Sequence, residues 1–75
     1  MKLSECTIGT IVTQLSAYEP EAVGRIGHIV GLDTNSTGEV IPVVQFAQPY
    51  RSFAQPVAPN DPVGVHHNNL AHLVD

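Results

Sequence analysis

Residues 25–32 read RIGHIVGL, and their alternation decides the fold class. Successive side chains of an extended chain point to opposite faces. Ile26, His28, Val30 and Leu32 therefore share one face, and Arg25, Gly27, Ile29 and Gly31 share the other. The first face is the more apolar, so it reads as the inward one, with His28 a partly buried histidine held by a hydrogen-bond partner. Two glycines on the second face leave no Cβ to obstruct a tight bend or a crossing strand. That suits a small, strongly coiled barrel. The polar run DTNSTG (33–38) predicts a turn, with Asn35 and Gly38 as the residues that accept positive φ. EVIPVVQF (39–46) is then the returning strand of a hairpin. Pro42 has no N–H to give, which places an edge or a bulge there.

Working outward, TIVTQL (10–15) is rich in β-branched residues and predicts a first strand. Residues 16–24 hold Tyr18, Pro20 and Gly24 around Glu19 and Glu21, and read as a loop. Residues 1–9 have room for one helical turn near Ser4 or Glu5, stopped at Gly9, or for a lead-in strand. Residues 47–62 carry Pro49, Pro56, Pro59 and Pro62 with no apolar alternation. A connection of that length without regular structure is uncommon in a compact domain and often functional. FAQP occurs twice around it, at 46–49 and 53–56, too short a repeat to build an array. Residues 63–66 and 71–74 predict a fourth and a fifth strand, joined by a tight turn over 67–70 with Asn68 and Asn69 as turn formers. No helical period runs through the chain. The expectation is one all-β domain over 1–75, a five-stranded SH3-like barrel with a long Pro-rich loop before the fourth strand; closing the sheet removes its free edges.

Composition narrows the function. A chain of 75 residues has a small core, which disulfides, a metal or self-association usually supplement. Cys6 is the only cysteine, so no intrachain disulfide can form, and a lone thiol fits a reducing compartment. Lys2 is followed by no apolar run of signal-peptide length, and no stretch is long enough to span a membrane, so the expectation is a cytoplasmic protein without membrane contact. The net charge is −4, with Lys2, Arg25 and Arg51 the only cations. Nucleic-acid binding neutralises phosphates with clustered Lys and Arg, so this balance disfavours it.

The order GTIV, GRIGHIVGL, polar turn, EVIPVVQF and terminal VHHNNLAHL resembles small SH3-like barrels. Gly24-Arg25-Ile26-Gly27-His28-Ile29 resembles the KOW motif of ribosomal and transcription-elongation proteins, in which nearby basic residues meet RNA. The neighbours here are Glu19, Glu21 and Asp33. Val65-His66-His67-Asn68 is similar in place to the last-strand Val-Gln-Ile-Tyr run of the plasmid-borne type II dihydrofolate reductases, which are tetramers of SH3-like barrels. The valine matches; His66, His67 and Asn68 stand where that family has the residues lining its pore. This likeness implies a symmetric oligomer whose shared pore would carry His66, His67 and Asn68. The general pattern also resembles small barrels encoded in bacterial and phage genomes, which would place the chain in a host cytoplasm.

His28, His66, His67 and His72 are the candidate metal ligands. Neighbouring residues of one strand point to opposite faces, so His66 and His67 are not expected to share an ion. With no HxH, HExxH or cysteine pair, neither a metal site nor a cofactor is expected. Cys6 sits in a tail without a positioned base, and the carboxylates flank turns, where they read as solvated charge. No GxSxG surrounds Ser4, Ser16, Ser36 or Ser52. Asn35-Ser36-Thr37 matches a glycosylation sequon and reads as a turn. Tyr50, Arg51 and Phe53 cluster in the Pro-rich loop, and Tyr18 lies beside two glutamates. Tyr and Arg are favoured in protein-binding hot spots. These four residues are the expected partner-binding set. The chain therefore reads as a non-enzymatic protein-interaction or assembly module, capable of self-association. The alternatives are the shared-pore oligomeric enzyme and a KOW-like nucleic-acid module.

Overall fold

The computed structural model describes residues 1–17, 22–47 and 61–73. Five strands form one antiparallel sheet: β1 (Ile11–Gln14), β2 (Ile26–Thr34), β3 (Val40–Phe46), β4 (Val63–Gly64) and β5 (Leu70–His72). Their order is β4-β3-β2-β1-β5, and among the described residues β4 and β5 do not pair, so the sheet is open. Among the described residues a 3-10 turn precedes β1 at Leu3–Glu5 and another joins β4 to β5 at His67–Asn69. No helix among the described residues is long and apolar enough to cross a membrane.

The all-β expectation holds, and the three central strands fall where their patterns put them. Residues 48–60 of the Pro-rich loop lie outside the described residues. β4 is shorter than expected because His66 starts the His67–Asn69 turn instead of continuing the strand, and β5 runs over Leu70–His72 instead of 71–74.

The inward face of β2 is the reverse of the one expected. Gly27 and Ile29 are buried, whereas Ile26 and His28 are exposed. Register gives the reason. Gly27 lies opposite Phe46 and Ile29 opposite Val44, and opposed residues share a face. The bulk of that face comes from β3, whose buried positions are Pro42, Val44 and Phe46. β2 contributes a glycine so that the strands can close on each other: a Cβ on Gly27 would sit 2.6 Å from the Gln45 carbonyl oxygen and 2.9 Å from Phe46 Cα. Gly31 has nothing within 4 Å of such an atom, so only one of the two glycines is required by packing.

A bulge between Ile29 and Gly31 leaves Val30 without an opposite residue on β3 and reverses the facing of the later β2 residues. Leu32 then lies opposite the buried Pro42 and is itself exposed. The bulge therefore sits on β2, and Pro42 lies in a strand paired on both sides. Its carbonyl accepts the Val65 N–H at 3.0 Å, and its missing donor falls beyond the last β3–β4 ladder pair, Val43 with Gly64.

The turn between β2 and β3 is organised by Asn35. Its Oδ1 accepts from Thr37 N at 3.0 Å, Thr37 Oγ1 at 2.7 Å and Glu39 N at 2.9 Å. Gly38 takes φ +87°, as expected, while Asn35 keeps a negative φ and acts through its side chain.

The core consists of Cys6, Val12, Ile29, Val44, Phe46, Val65 and Leu70, with Met1 and Leu3 packed against it. Cys6 is thus a core residue, 4 % exposed, and not part of a free tail. The Leu3–Glu5 turn carries it inward; Glu5 Oε1 accepts the Lys2 N–H at 2.8 Å, and the Cys6 thiol donates to the Lys2 carbonyl at 3.4 Å.

Candidate functional site

Tyr18, Tyr50, Arg51 and Phe53, the expected partner-binding set, lie outside the described residues. His66, His67 and Asn68 are described, and they form a corner of the fold instead of a strand face. His66 is the cap of the His67–Asn69 turn, with φ −56° and ψ 138°. Its Nδ1 accepts the Asn68 N–H at 3.1 Å. Nδ1 must therefore carry a lone pair, which puts the proton of the neutral ring on Nε2. Nε2 faces Glu39 Oε1 at 3.1 Å, so both ring nitrogens are engaged. Glu39, expected as solvated charge, is thus a partner of His66.

His67 is fixed in the opposite tautomer. Its Nδ1 lies 2.8 Å from the Met1 carbonyl oxygen, which can only accept, so Nδ1 donates. That leaves Nε2 as the ring's acceptor. The two rings stack with centroids 4.4 Å apart at 27°. The expectation that neighbouring histidines point apart held only for an extended strand; in the turn they lie face to face. The corner orients one imidazole nitrogen, and among the described residues no nucleophile or second ligand is brought to it. Among the described residues no three His, Cys, Asp or Glu side chains converge as a metal site would require. His28 lies on the outer face of β2 and His72 at the exposed end of β5.

Burial pushes the Cys6 thiol up from its ordinary value of 9.0; the N-terminal charge offsets part of this effect and Glu5 adds to it. A thiol held protonated in a core is a poor nucleophile.

A second polar group was not singled out by the sequence. The buried Gln14 presents Oε1 to Arg25, which donates from Nη2 at 3.0 Å and from Nε at 3.3 Å. The Arg25 guanidinium also lies 3.8 Å from the centroid of the Phe46 ring. One core-facing cation is thereby held by an amide and an aromatic face. The signal was present in the alternation, since Arg25 belongs to the face of Gly27 and Ile29.

Exposed apolar side chains also gather on the outer face of β5, β1 and β2. Register lines up its rows. Ile11 is opposite His28, and Leu73 donates its N–H to the Ile11 carbonyl at 2.9 Å. Thr13 is opposite both Ile26 and Ala71. Ile11 is 44 % exposed, Ile26 49 % and Leu73 39 %. No Lys, Arg, Asp or Glu side chain stands in these rows. The described charges fall elsewhere: Lys2 and Glu5 at the N-terminal turn, Arg25 toward the core, Asp33 and Glu39 at the hairpin, and Asp61 before β4. Comparison with protein-family profiles, with curated proteins and with solved structures finds no match for this chain.

Proposed function

We propose that the chain is a non-enzymatic protein-interaction and assembly module on an SH3-like barrel, and that the outer face of β5, β1 and β2 receives its partner. One observation carries this reading: an exposed, largely apolar face three strands wide, without a charged side chain among the described residues, on a molecule whose net charge is −4. Soluble domains rarely leave such a patch uncovered, and interface centres are depleted of charge. Tyr18, Tyr50, Arg51 and Phe53 would add contacts from the loops. The barrel is supported by the strand order and by β2 itself. β1 follows β2 only over Ile26–His28, while β3 continues with it to Thr34 past the bulge, so β2 is shared between two halves of the sheet.

The test is retention of protein by the immobilised chain, comparing wild type with Ile26→Lys and with the double variant His66→Ala/His67→Ala. The module predicts specific retention that Ile26→Lys abolishes and the histidine variant keeps. Loss in the histidine variant alone, or a chemical activity that disappears with it, would sink this reading in favour of a shared histidine pore.

A further inference from the structure

We propose that the occupant of the outer β5-β1-β2 face is a second copy of this chain, seated face to face. The inference rests on the interaction-module reading and names its partner. Three features on the molecule point to it.

The first is charge. A chain of net charge −4 repels its own copies wherever their charged surfaces meet. The rows of Ile11, Thr13, Ile26, His28, Ala71 and Leu73 hold no fixed charge, so this is where two like molecules can approach without that cost. A partner of opposite charge would gain nothing from such a face.

The second is the alternation. Strands covered on a single face read as apolar-in and polar-out, whereas strands covered on both read as near-continuous apolar runs. In β1, Val12 and Gln14 point inward, yet the outward neighbours include Ile11 and, just past the strand, Leu15. In β2 the inward pair is Gly27 and Ile29, and the outward pair includes Ile26. Both strands carry the pattern of a sheet with a second layer, but the core occupies one side only.

The third is shape and symmetry. A two-fold contact requires the same patch on both partners to be self-complementary. A face with side chains at strand spacing meets its copy as two sheets of a sandwich do, at about 10 Å.

The decisive measurement is the mass of the purified chain by sedimentation and light scattering, from low micromolar to millimolar concentration. The expected result is a shift from 8.0 kDa toward twice that mass as concentration rises. Ile26→Lys and Ile11→Lys, both at exposed positions, should stay monomeric with unchanged circular dichroism. Ile8→Lys alters an exposed apolar residue on the turn before β1 and should dimerise as wild type does. A monomer throughout the range overturns the inference, and so does a dimer that Ile26→Lys and Ile11→Lys leave intact, or that Ile8→Lys weakens equally. A monomer that still retains a different protein through Ile26 removes the second copy and leaves the module. A dimer that retains no other protein confines the module to self-assembly.

Discussion

At the scale of single residues, Gly27 is the glycine that a neighbouring backbone crowds most closely. Alanine there would bring its Cβ to 2.6 Å from a backbone oxygen and 2.9 Å from a backbone carbon, and neither can swing aside like a side chain. Overpacking of this kind costs about 1–3 kcal/mol, and rigid neighbours put Gly27→Ala at the upper end. Gly31→Ala meets nothing within 4 Å and needs no positive φ, so it should change stability by less than about 0.5 kcal/mol. Paired denaturant titrations decide the matter, and equal midpoints for the two variants would mean that the strands are not this close. Cys6 gives a second test. Its folded thiol titrates above 9.0 while the unfolded one does not. Above that pH the unfolded chain has lost a proton the folded chain keeps, so the contribution is intact below pH 9.0 and declines as pH rises further. Cys6→Ala should remove that part of the alkaline decline, and an aromatic disulfide reagent should react with wild type only as fast as the fold opens. Rapid native-state labelling would contradict the burial.

At the scale of elements, side chains hold the two connections that the structure describes in most detail. The His67–Asn69 turn depends on a histidine acting as an acceptor. Loss of an N-terminal cap costs about 0.5–2 kcal/mol, while Asn is among the best caps. His66→Ala should therefore destabilise the chain by about 1 kcal/mol, and His66→Asn should recover most of it. The Glu39 contact with His66 is half exposed and should add little, so Glu39→Gln should change stability by less than about 1 kcal/mol. If His66→Asn were as damaging as His66→Ala, the ring's stacking on His67 and not its capping would hold the turn. In the β2–β3 hairpin, Asn35→Asp keeps an acceptor for three donors and Asn35→Ala removes it. Thermal melts should therefore rank wild type and Asp together, above Ala.

These connections mark the limit of what the sequence made legible. Strand existence and the place of turns could be read, because β-branched runs and Gly, Asn and Pro clusters act locally. The capping role of His66 could not, since it depends on where β4 ends, and neither could its second contact, with Glu39 brought across from the turn before β3. The inward face of β2 was misread for a related reason. RIGHIVGL is apolar on both sides, and the deciding fact is the bulk of Phe46 and Val44 on another strand. The tail reading of Cys6 failed likewise, because the core it completes is drawn from residues far along the chain.

At the scale of the whole molecule, an ambiguous alternation becomes informative. A strand that cannot be oriented from its own sequence is one with apolar side chains on both faces, and such strands ordinarily have two layers to bury. The core supplies one. If a second copy supplies the other, folding and association are linked, because anything that binds only the folded state stabilises it by mass action. The melting temperature of wild type should then rise with protein concentration, while that of Ile26→Lys should not. The variant should also melt lower than wild type in concentrated solution and converge with it on dilution, since Ile26 is half exposed in the single chain and contributes little to its own core. A core residue behaves differently: Ile29→Ala removes a fully buried side chain and should cost about 2–5 kcal/mol at every concentration. Differential scanning calorimetry over a concentration series separates the two cases. A melting temperature of wild type independent of concentration would assign the outer face no part in stability and return the whole of it to the single small core.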